Sequence, residues 1–168
     1  MTTVAWDGKT LASDTQASTG DVVCSVYEQK IYTAPDSGWE IYGDSIVAIG
    51  CSGDCGAEME LQDLLKHNLT YNSEFLPTFS FHAIAIVGNG RAYIVAKDKG
   101  DTRASISLQV TPYAIGSGGL IARTAMHCGK DAREAVQVAI DLDCYSGGSI
   151  DSFATDQPPH PAFIVVEK

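Results

Sequence analysis

The runs FHAIAIV (81–87) and RAYIVAK (91–97) are apolar and rich in β-formers, and only Gly-Asn-Gly separates them. Two such runs across a tight turn read as a β-hairpin, which commits the middle of the chain to antiparallel sheet. The N-terminus repeats the theme in shorter form, with VAW and TLAS on either side of Asp7-Gly8. Further strands are predicted in VVCSVYEQKIYTA, WEIYG and SIVAIGCSG, punctuated by DSG and GD turns.

Helical spacing appears in three places. Ala57, Leu61, Leu64 and Leu65 predict a helix capped by Asp54 and running to about Asn68. NSEFLPT then reads as a linker, and SLQVTPYAIG as a strand entering GSGG. LIARTAMHCG predicts a second helix and KDAREAVQVAIDLDCY a third, with Ala135, Val138, Ala139 and Leu142 on its apolar face. SIDSFAT and AFIVVE are read as closing strands, and no internal repeat or low-complexity tract interrupts the pattern. Hairpins beside grouped helices predict an α+β fold, two mainly antiparallel sheets facing each other with helices outside. A length of 168 residues suits one domain spanning 1–168.

Charge removes several functions. Acidic residues outnumber basic ones 21 to 11, the net charge is −10, and no Lys/Arg cluster occurs, so nucleic acid is not an expected partner. No apolar stretch approaches the roughly 20 residues of a membrane span, and no basic-then-apolar leader opens the chain. A cytoplasmic protein is expected. Five scattered cysteines (24, 51, 55, 128 and 144) suit free thiols in a reducing compartment better than a disulfide framework. Cys51 and Cys55 lack a second pair and His127-Cys128 stands alone, so no metal site is predicted.

Chemistry concentrates at the start. Once Met1 is removed, which the small Thr2 side chain permits, Thr2 carries a hydroxyl and a free α-amine on adjacent carbons. That amine has an ordinary pKa of about 7.7–8.0 and can serve as general base for its own hydroxyl. Lys30, in YEQKIY, could hold the amine in its neutral form by nearby positive charge. Asp14, in LASDTQ, is the counter-charge that a buried Lys30 would need. Gly53, where IGCSGD turns from strand to helix, suits a backbone N–H donor to a developing oxyanion. Ser117 in IGSGG and Ser146 in DCYSGG offer hydroxyls at two small-residue corners. Taken singly, each has an ordinary reading as terminus, solvated strand residue or simple turn.

Taken together, over almost the full chain, they resemble the proteasome β-subunits and the bacterial HslV-type protease subunit, within the N-terminal-nucleophile (Ntn) hydrolases. The opening TTVAWDGKTLASDTQAS is similar to that family's opening, which matches Thr2 to the nucleophile, Asp14 to the paired carboxylate and Lys30 to the lysine. GCSGD matches the segment whose glycine, here Gly53, serves the oxyanion hole. AIGSGG brings in Ser117, and IDLDCYSGGSID resembles the proteasome form of its motif more than the HslV form, carrying over Asp143 and Ser146. By position, the family's substrate pocket falls on Ala17, Glu28, Cys51 and Cys55. Glu28 shares a strand face with Lys30, which implies a pocket kinder to polar or basic side chains than to large apolar ones.

The resemblance implies an αββα sandwich and a threonine endopeptidase needing no metal or organic cofactor. It also implies a homo-oligomeric ring enclosing the sites, peptide or unfolded protein as substrate, and a possible ATP-dependent unfoldase as partner. One departure stands out. Only about 25 residues separate Asp54 from Thr78, enough for one helix where the family has two, so a helical layer is shortened. A small-molecule Ntn amidase and a catalytically silent ring subunit are the rival readings; retention of all the site positions argues against the silent one. A serine hydrolase at Ser117 is disfavoured because Ile115 occupies the first glycine position of G-x-S-x-G, and His67, His82, His127 and His160 lack a triad context. IGSGGL is no phosphate loop, since no Lys-Ser/Thr follows.

Overall fold

The computed structural model describes residues 2–155. The expected strand AFIVVE, His160 and the removal of Met1 lie outside the described residues. The first hairpin forms as expected from β1 (Thr3–Trp6) and β2 (Thr10–Asp14). A small ribbon of β3 (Ala17–Thr19) and β4 (Val22–Ser25) follows. Next come β5 (Ile31–Thr33), a second ribbon of β6 (Trp39–Ile41) and β7 (Asp44–Ile46), and β8 (Ala48–Gly53). After α1 (Ala57–Leu65), the central hairpin is β9 (Phe81–Gly88) with β10 (Arg91–Lys97). The rest comprises β11 (Ser105–Gln109), β12 (Tyr113–Gly116), α2 (Gly119–His127), α3 (Ala132–Leu142) and β13 (Ile150–Ala154).

Two antiparallel sheets carry the molecule, ordered β12-β1-β2-β13 and β11-β10-β9-β8-β5. Period-two alternation sorts their side chains. Val4, Trp6, Leu11 and Ile115 of the first sheet meet Ala48, Ile84, Ile86 and Ile94 of the second in one core. The other face of the first sheet offers Ala5, Ala12 and Ala114 at its centre, with Ile150 beside them, which lets Ala122, Ala132, Ala135 and Val136 of α2 and α3 approach closely. Beyond the second sheet, Ile49, Ala83, Ala85 and Val95 bury Leu61 and Leu65 of α1 together with Trp39, Ile41 and Ile46. This is an α+β sandwich. Strand β1 is covered on both faces, which is why all four of its residues are buried. Among the described residues no helix is long and apolar enough to cross a membrane.

Five expectations need correction. VVCSVYEQKIYTA divides into β4, which pairs with β3, and β5, which pairs with β8, and Glu28 and Lys30 lie between them on no strand face. Helix α1 starts at Ala57 and stops at Leu65, shorter than predicted at both ends. Its N-cap position is Gly56, because the Asp54 carboxylate accepts the Ser80 N–H at 2.8 Å instead of capping. SIVAIGCSG breaks at Val47 into β7, which pairs with β6, and β8, which pairs with β5 and β9. SLQVTPYAIG is two strands in different sheets: β11 pairs with β10 and β12 with β1. Pro112 lies between them, where its missing N–H and fixed φ end one ladder before the next begins. The buried face of α3 is Ala132, Ala135, Val136 and Ala139, whereas Leu142 is 70% exposed. The helix also ends before Asp143, which takes an extended conformation and swings its carboxylate back toward the first sheet.

Candidate active site

Asp14 closes β2 with no solvent exposure, so its charge must be met by protein donors. It is. Its Oδ1 accepts hydrogen bonds from the Thr2 hydroxyl at 2.5 Å, Lys30 Nζ at 2.6 Å and the Thr3 N–H at 3.0 Å. Its Oδ2 accepts from the N–H groups of Gly147 at 3.0 Å and Gln16 at 3.3 Å. The β1–β2 hairpin brings Thr2 to the carboxylate, and Lys30 reaches it from the residue just before β5. Lys30 Nζ also donates to the Gln16 carbonyl at 2.5 Å. Burial pulls the Lys30 pKa below its ordinary value, against the raising effects of Asp14 and Glu28.

A second network lies on the other side of the Thr2–Thr3 backbone. Ser146 Oγ and Ser117 Oγ each stand 2.7 Å from Asp143 Oδ2, and both donate to it. A hydroxyl has one hydrogen, so with Ser146 donating to Asp143, the 2.7 Å contact between Thr3 Oγ1 and Ser146 Oγ has Thr3 as donor. Ser117 Oγ is also 3.3 Å from the Thr2 carbonyl. Burial works to raise the Asp143 pKa and is outweighed by the bonds from Ser146, Ser117 and the Tyr145 N–H, leaving it below its ordinary value. Stability from this network is complete above the ordinary carboxylate pKa of 3.8 and is lost as pH falls through the lower folded value. Asp143→Asn should therefore flatten the acid limb of an unfolding-against-pH curve below about pH 4; an unchanged limb would assign that limb to other carboxylates.

Gly116 makes this closeness possible. Its φ is +92°, and a Cβ there would run into the Thr2 carbonyl. Gly53, at φ +130°, sits where a Cβ would collide with the Ser80 carbonyl. The ladder between β5 and β8 stops short of it. Cys51 donates to the Lys30 carbonyl at 3.0 Å, and two residues on, the register would set Gly53 opposite Glu28. Glu28 has turned away to donate its own N–H to Thr15 O at 2.8 Å. Gly53 itself lines a cleft.

That cleft holds about 610 Å³ of empty space, its open mouth included, and Thr2, Lys30 and Gly53 line it. Ala17, Glu28, Cys51 and Cys55, the four residues assigned to a substrate pocket, line it too. Sequence reading missed Tyr32 and Glu58 in the same wall. It also missed Thr3, although the Thr-Thr doublet was its visible sign. Ser117, Asp143 and Ser146 are brought together, but on Thr3 Oγ1 and the Thr2 carbonyl. Among the described residues no group of three or more His, Cys, Asp or Glu is placed to hold a metal ion.

The two facing antiparallel sheets with helices outside are a proteasome-like fold. Among solved structures it is similar to BPH, the bacterial proteasome homologue of Thiobacillus denitrificans, in complex with epoxomicin. The TM-score is 0.62 and the identity 19%, over 94% of this chain and 99% of that one. A second structure of the same BPH gives a TM-score of 0.59 at 20% identity, over 94% of this chain and 98% of the other. No family model matches the sequence, and no curated protein matches it.

Proposed function

We propose that the chain is a threonine peptidase, a single Ntn-hydrolase domain of αββα layering whose α1 side keeps one helix. The observation that carries this is the convergence of the Thr2 hydroxyl and Lys30 Nζ on one oxygen of Asp14, beside a cleft that Gly53 also lines. With Met1 removed, Thr2 Oγ1 attacks the peptide carbonyl and its proton passes to the Thr2 amine. The Gly53 N–H stabilises the tetrahedral oxyanion. The amine then gives the proton to the leaving nitrogen, the peptide bond breaks, and an ester remains on Thr2. Water, deprotonated by the same amine, attacks that ester and regenerates the hydroxyl. Asp14 anchors Lys30, whose positive field favours the neutral amine. Ser117, Asp143 and Ser146 act as positioning residues, fixing the chain at Thr2–Thr3.

The proposal extends to assembly. A cytoplasmic peptidase of this kind would sit in a homo-oligomeric ring with its sites enclosed, fed with peptides or unfolded chains, an ATP-dependent unfoldase being the partner such a chamber could use. Intact-mass measurement of the purified protein should show loss of Met1, and peptide hydrolysis should disappear in Thr2→Ala. Epoxomicin, bound by the Thiobacillus protein, should bind the wild type and not Thr2→Ala. Hydrolysis by a protein that retains Met1, or equal hydrolysis by both proteins, would overturn the mechanism. Cleavage of small amides but of no peptide would point to an amidase.

A further inference from the structure

Taking Thr2 as the nucleophile, we propose that the cleft selects peptides with Lys or Arg on the acyl side of the cut bond, read by Glu28 and Glu58. The two carboxylates come from different elements, Glu28 from the segment before β5 and Glu58 from the first turn of α1, and both line the cleft. Both act on Tyr32, another residue of the lining. Burial first, then Glu58, Cys51 and Glu28, push the Tyr32 hydroxyl up to about 12. Burial and then Glu58 likewise raise the Cys51 thiol.

Glu58 is held in place, since its Oε2 accepts the Gly56 N–H at 3.0 Å, while its second oxygen remains for a ligand. Asp54 adds a third carboxylate to the lining. Lys30, the cleft's own cation, makes its ion pair with Asp14 and donates to the Gln16 carbonyl, and Glu28 acts on it through its field without an ion pair between them. The remaining walls include Ala17, Ala57 and Phe81, apolar surface suited to the methylene stem of a long basic side chain. A cation at the end of such a stem would pair with the carboxylates. A large neutral side chain would shield them from water and give nothing in return, which is how a polar site rejects the wrong ligand.

The test uses fluorogenic peptide pairs differing only in arginine or citrulline at that position, which match in shape and differ in charge. For the full-length wild type, kcat/KM should favour arginine by about tenfold or more. Glu58→Gln keeps an oxygen for the Gly56 N–H, so its fold should survive; it and Glu28→Gln should each lower the ratio severalfold, and the double variant should bring it near one. Unfolding midpoints of all variants check the fold. Equal rates for the pair, or a preference for Phe or Leu, would overturn this selectivity and leave the peptidase reading standing. Absence of any hydrolysis by protein with a free Thr2 would overturn the peptidase reading instead. Binding of the two product peptides to Thr2→Ala, read by calorimetry, then decides selectivity alone: arginine favoured and Glu58-dependent supports it, equal binding overturns it.

Discussion

Asp14→Ala should lower the unfolding free energy by about 3–5 kcal/mol, the usual cost of stranding one partner of a buried ion pair. The same change should end peptide hydrolysis. Asp14 has no solvent exposure and Lys30 only 6%, so water cannot replace the lost carboxylate cheaply. The variant strands the Lys30 ammonium beside the Gln16 carbonyl, and frees the Thr2 hydroxyl and the N–H groups of Thr3 and Gly147. Urea unfolding measures the first effect and turnover of any cleaved peptide the second. Adding Lys30→Met removes the orphan charge, so the double variant should regain much of the stability and none of the activity. Equal stability of single and double variants would mean that the two charges are not coupled.

Gly53→Ala should reduce kcat by about 10²–10³, the usual loss for one missing oxyanion donor. At φ +130°, with the Ser80 carbonyl in the way, an alanine must rotate its peptide, and that rotation displaces the N–H proposed as the oxyanion donor. The strain should also cost about 1–3 kcal/mol of stability. KM should move less than kcat, because the cleft walls that hold the substrate stay in place. A variant that folds and keeps full kcat would remove Gly53 from the mechanism.

The hairpins were legible in the sequence because turn residues and alternation are local signals. Asp7-Gly8 and Gly88-Asn89-Gly90 each announce a pairing that the structure contains. The boundaries that failed depend on distant neighbours. Asp54 has the right chemistry for a cap, yet Ser80, far along the chain, takes its carboxylate. The division at Pro112 was marked by the proline itself, but its meaning, a change of sheet, required knowing which partners each side finds. Leu142 fits the helical repeat of α3 and still faces outward, because the sheet beneath contacts a stripe of alanines rather than the largest residues. At the candidate site, family-like order led to the expectation that Thr2, Asp14 and Lys30 meet, and they do converge. Glu58 was not expected there. It looks like any acidic residue in a first helical turn until the fold sets it against Tyr32.

The alanine-on-alanine seam between α3 and the first sheet ties mechanics to chemistry. With so little material between them, a larger side chain at Ala12 or Ala135 has nowhere to go and must lever the helix outward. The chain passes from the end of that helix directly into Asp143 and Ser146, so the displacement would be delivered to Thr3 and, through it, to Thr2, the proposed nucleophile. Activity screens of random variants should accordingly score lesions along this seam, remote from any bound peptide, as heavily as lesions in the cleft.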